Sequence, residues 1–204
     1  MTATPDILWL GLDPADGGVD ERHLEHQVLD LLAGLHVEAD LVCTHVVVSQ
    51  GLTCVAASVR LAGRAGEPLG ETALLDALRE RWSGAAVLEG PANEPSVETG
   101  PRDARTVART AVAQARDGLA GRAVRFPGQE ALGGPLPVAD VPLVSTVTAA
   151  IPAVGELGPD TVLDPSGHVR PHFEQGRLVL LVRPGPAGTM VPVEKLNQHA
   201  CAGH

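Results

Sequence analysis

The sequence predicts a mixed α+β protein whose first 90 residues follow the order β-α-β-β-α-β. Three observations predict it. Short β-branched runs alternate with stretches of helical apolar spacing over that segment. The dipeptide Gln50-Gly51 parts two β-branched runs, as a tight hairpin turn does. Half of the chain's Gly and Pro then fall between residues 127 and 192, where the texture turns loop-rich.

Residues 7–12 are a short apolar run that ends in DPADGG, a strand followed by a turn. Asp20 stands where a helix cap is needed, and Leu24, Val28, Leu31, Leu32 and Leu35 recur at helical spacing, so a helix is expected over 21–35. Residues 38–49 and 53–62 are β-branched runs joined at Gln50-Gly51. Leu74, Leu75, Leu78 and Trp82 make one face of a second helix over 70–82, and residues 85–88 close the unit as a last strand. This split-βαβ order is the ferredoxin-like pattern, an antiparallel sheet with helices on one face, and each crossover has the favoured right hand.

Beyond residue 90 the expected organisation is a linker over 91–100, an Arg-rich helix over 101–118 opened by Pro101, and a short strand over 123–126. Segment 127–204 is read as a Pro/Gly-rich region with a β-hairpin and a His/Cys tail. Within it 127–165 is loop-rich, with 141–150 as one element. Strands over 168–173 and 177–183 meet at Gln175-Gly176. The domains expected are therefore 1–90, 91–126 and 127–204.

Charge and composition narrow the function. The chain has 25 acidic against 15 basic residues, a net −10, and only two Trp, two Phe and no Tyr. An acidic chain without aromatic platforms is a poor binder of nucleic acid. No apolar run reaches the 18 or so residues that span a bilayer. The segment MTATPDILWLGLD has no basic stretch before its apolar run, which leads to the expectation of a cytoplasmic protein. Three cysteines, an odd number, argue against a disulfide framework. The signatures GxSxG, GxGxxG, HExxH and the Walker loop are absent.

Four constellations carry the candidate chemistry. The C-terminal His199, Cys201 and His204 are zinc- or iron-type ligands within six residues. A two-residue turn at Gln50-Gly51 would pair His45 with Ala56, Cys43 with Ser58 and Val47 with Cys54, so that Cys43, His45 and Cys54 share one sheet face as further metal-ligand candidates. On a strand, His168, Arg170 and His172 share a face that would suit an anion. Arg102, Arg105, Arg109 and Arg116 form a stripe on the third helix; segment 102–125 holds six Arg against Asp103 and Asp117. Such a stripe docks a phosphate, an acidic partner or the protein's own acidic surface. The function expected is that of a noncatalytic cytoplasmic accessory protein that docks to partner proteins or self-associates through the Arg-rich helix. The alternatives are a Zn- or Fe-dependent enzyme built on the C-terminal cluster, and a binder of small anions.

Overall fold

The computed structural model describes residues 7–14, 19–61, 71–90, 95–158 and 160–194. The chain divides into two compact units, Met1–Arg125 and Phe126–His204. It is a mixed α+β fold. Among the described residues no helix is long and apolar enough to cross a membrane.

The first unit begins with strand β1 (Leu8–Asp13) and helix α1 (Glu21–Gly34). The Asp20 carboxylate accepts from the His23 N–H at 2.7 Å and caps α1, as the sequence leads one to expect. Strands β2 (Ala39–Ser49) and β3 (Leu52–Leu61) form a long hairpin. Gln50 and Gly51 both have positive φ, 52° and 78°, the geometry whose twist matches that of the flanking strands. Helix α2 (Glu71–Arg81) and strand β4 (Ala85–Glu89) follow, then β5 (Pro95–Thr99), helix α3 (Arg102–Arg116) and β6 (Arg122–Arg125).

The sheet order in this unit is β5-β4-β1-β3-β2-β6, with every pair antiparallel. The first four strands stand as β4-β1-β3-β2, but the sheet is larger than the four strands expected. The stretch read as a linker contains β5. Its Pro95 is tolerated because the strand lies at an edge and begins there. Helices α1 and α2 share one face, the arrangement expected for residues 1–90, and α3, which lies beyond that segment, takes the opposite face. Leu10 and Leu12 of β1 lie in one apolar cluster with Leu24 and Val28 of α1 and Leu74 and Leu78 of α2. On the opposite face Val47 and Ala56 meet Val107 and Ala111 of α3. The face α3 buries is mostly alanine, which lets the helix backbone come close to the sheet. A Cβ on Gly11 would stand 2.4 Å from the Ala108 carbonyl oxygen, so β1 has no room for a side chain there.

The second unit carries β7 (Leu136–Pro137), helix α4 (Val141–Val144), β8 (Ala149–Pro152), β9 (Val162–Leu163), β10 (His172–Glu174), β11 (Arg177–Pro184) and β12 (Met190–Pro192). They pair in the order β10-β11-β12-β9-β7, with β8 parallel to β11. The hairpin at Gln175-Gly176 forms with both residues at positive φ. Two expectations are corrected. Segment 141–150 is two elements, because Ser145 turns to extended backbone and ends α4. The strand expected over 168–173 begins only at His172. Ser166 and Gly167 take positive φ in a turn closed by His168 N–H to the Pro165 carbonyl, and Pro171 supplies no donor.

Candidate docking site at the end of the hairpin

The β2–β3 register is Ser49↔Leu52, Val47↔Cys54, His45↔Ala56 and Cys43↔Ser58, the one expected from a two-residue turn. It puts Cys43, His45 and Cys54 on the face that α3 covers. There His45, 1 % exposed, donates from Nδ1 to the Gln114 Oε1 of α3 at 3.1 Å. The other ring nitrogen, Nε2, accepts from the Ser58 hydroxyl at 2.8 Å. Burial holds the imidazole neutral, its pKa lowered to about 4. The buried Cys43 thiol bonds the same Ser58, and burial pushes it up to about 12. Both His45 nitrogens and the Cys43 thiol are thus engaged in a hydrogen-bonded layer between sheet and helix. Among the described residues no three His, Cys, Asp or Glu gather as a metal-holding group.

The arginine stripe is turned inward. Arg105 and Arg109 both pair with Glu98 of β5. Arg116 reaches Glu89 of β4 at 2.9 Å, and Arg122 of β6 meets Glu25 of α1 at 3.0 Å. Glu89 and Glu98 sit on the sheet face beneath α3 because they alternate with Leu88 and Val97, which pair on the face opposite. Of the stripe, Arg102 alone is exposed. The charges that looked like a docking surface therefore bind the helix to its own sheet.

Among the described residues, the hairpin outruns the elements that cover it. Val46, Val48 and Leu52 near its turn are 54 %, 74 % and 68 % exposed, in strands whose other ends are buried. Strand β1 stops at Asp13, and its pairing with β3 ends at Leu12↔Ala57. Residues 52–56 of β3 thus have no strand partner on that side among the described residues. A cavity of about 450 Å³ lies along this edge. Val19, Cys54, Val55 and Val107 give it apolar walls, and Asp13 and Asp103 line it as carboxylates.

Comparison with known protein families, with curated proteins and with solved structures finds no match to this chain. The site has to be read from its own geometry.

The other expected site residues stand as follows. His199, Cys201 and His204 lie outside the described residues. His168 is buried, with Nε2 3.6 Å from the Glu194 carboxylate, and Arg170 donates to the Val169 carbonyl at 2.9 Å. Only His172 is in a strand, so the alternation that would align the three on one face does not hold. Motif reading missed Val46, Val48, Leu52 and the cavity. The available signal was the run Val46-Val47-Val48 beside the turn, apolar on both faces of a strand end where one face needs a cover.

Proposed function

We infer that the protein is a noncatalytic, cytoplasmic docking protein. On this reading the first unit is a ferredoxin-like βαββαβ core, widened by a strand at each edge and backed by α3, and it acts as a rigid scaffold. The hairpin end is its contact surface. One observation carries the reading: the hairpin end leaves Val46 and Val48 exposed on one sheet face and Leu52 on the other, and Val46 and Leu52 line the cavity along the edge of β3. Scattered exposed aliphatics are ordinary, whereas three at one hairpin end next to a cavity support an interaction site. The Arg-rich helix serves here as the clamp that keeps the scaffold stiff. The thiols of Cys43 and Cys54 are free, which supports a reducing compartment.

The test compares wild type with the double variant Val48→Asp/Leu52→Asp as bait for chemically crosslinked partners. The reading expects a protein held by wild type and lost from the variant. It expects Arg102→Glu, an exposed change on the same unit, to keep that partner. Equal capture by all three baits overturns it.

A further inference from the structure

We propose that α3 is an acid-released helix: as the pH falls below neutral it leaves the sheet, while α1 and α2 stay packed on the opposite face. Two sets of polar contacts hold it, and acid weakens both. Along one side Arg105 and Arg109 pair with Glu98 of β5, and Arg116 reaches Glu89 of β4 at 2.9 Å. A carboxylate that gains a proton loses its charge and its hold on arginine. Along the other side Gln114 accepts from His45 at 3.1 Å, and Ser58 donates to the second ring nitrogen at 2.8 Å. Gly121, just before β6, packs on the ring, where a Cβ would stand 2.6 Å from Cε1. The charges on this side of the sheet do not offset an imidazolium. Arg60, on the same face of β3, is positive and paired with Asp40 at 2.7 Å. The inward arginines of α3 are positive too. Asp13 shares the face but lies two strands away on β1, and the Cys43 thiol is neutral. His45 is therefore neutral in the folded layer, and the stability it gives is lost as pH falls from about 6.5 to about 4. The arginine pairs lose theirs in the same direction.

Apolar contact decides which helix leaves. Helix α3 buries Val107, Ala108, Ala111, Val112 and Ala115. Helix α1 buries Leu24, Val28, Leu31 and Leu32, and α2 buries Leu74, Leu75 and Leu78. Alanine buries a single methyl where leucine buries an isobutyl group, and that burial does not change with pH. Helix α1 also carries an acid-sensitive pair, Glu25 with Arg122 of β6, but its leucines hold it without that pair. The element fastened mainly by titratable groups opens first.

The experiment follows hydrogen exchange of the full chain by mass spectrometry between pH 7 and pH 5, corrected for intrinsic exchange. Any opening that hydrates His45 should become roughly twentyfold more frequent over that range from this residue alone. Peptides of α3 (102–116) should lose protection by at least that factor and stand about tenfold or more below those of α1 (21–34) at pH 5. In the chain carrying Cys54→Ser and Cys201→Ser, Cys43 is the remaining thiol, completely buried on the face α3 covers. Its reaction with dithiodipyridine, corrected against a free thiol, should accelerate over the same range. His45→Gln should flatten the pH response of α3. Glu98→Gln should loosen α3 about tenfold at pH 7 and leave α1 unchanged; it carries the test if His45→Gln does not fold. Equal protection of α3 and α1 at pH 5 means one cooperative acid unfolding and overturns the proposal. So does an α3 response that His45→Gln leaves intact, a Cys43 that stays unreactive at pH 5, or a Glu98→Gln variant in which both helices loosen alike or neither does.

Discussion

At the scale of single residues, His45 shows how burial turns chemistry into structure. An imidazole with an ordinary pKa of about 6.5 is held at about 4 by desolvation in the layer between sheet and α3. The unfolded chain therefore takes up a proton in the window from pH 6.5 down to 4 that the folded chain refuses, and the stability His45 contributes at neutral pH is lost as pH falls through it. The loss amounts to about 2 kcal/mol at pH 5. Urea unfolding should show His45→Gln less stable than wild type at pH 7, with the gap narrowing by about that amount at pH 5; a constant gap would refute a neutral buried imidazole. Gly11 tests the close approach of α3. Gly11→Ala places a Cβ 2.4 Å from the Ala108 carbonyl oxygen, whereas Gly134→Ala meets nothing within 4 Å. The first should lower the melting temperature by several degrees, on the order of 1–3 kcal/mol, and the second should leave it near wild type.

At the scale of elements, the arginine helix was legible as a charged stripe and not as a clamp. Arg102, Arg105, Arg109 and Arg116 can be placed on one helix by spacing alone. Their carboxylate partners come from β4 and β5, and β5 lies in a stretch whose Pro and polar residues read as a linker. Only the register that places Glu89 and Glu98 beneath α3 converts three arginines, Arg105, Arg109 and Arg116, from free charge into structure. A double-mutant cycle on Glu89 and Arg116 should give a coupling of about 1–2 kcal/mol, because the Glu89 side chain is 6 % exposed. The same cycle on Asp76 and Arg79, 61 % and 52 % exposed, should give about 0.5 kcal/mol or less and vanish in high salt. Equal couplings would mean that Glu89 is effectively solvated. The β2–β3 hairpin was legible almost residue by residue, since a two-residue Gln-Gly turn sets both the register and the facing of every side chain along the strands. The strand over 168–173 failed for the converse reason: Pro165, Gly167 and Pro171 outweigh alternation.

At the scale of the whole molecule, the arginines of α3 and β6 are largely spent on Glu25, Glu89 and Glu98, so the acidic balance of −10 is what the surface presents. The exposed aliphatics of the hairpin end stand out against it. Val48→Asp/Leu52→Asp should change the unfolding free energy by no more than about 0.5 kcal/mol, because neither side chain packs into the core. A large loss in chemical denaturation would show that these residues are covered rather than presented. The order of the first unit's elements, the α1 cap, both Gln-Gly hairpins and the shared face of Cys43, His45 and Cys54 are local matters of periodicity and turn chemistry, and the amino-acid order is enough to set them. The side of the sheet that α3 covers, the addition of β5 and β6 to its edges, the pairing of each arginine and the point at which β1 stops short of the hairpin are different in kind. They depend on which distant segments lie against one another. Charge and apolar surface acquire a role only when their neighbours are known, and for the hairpin end the decisive neighbour is a strand that runs out at Asp13.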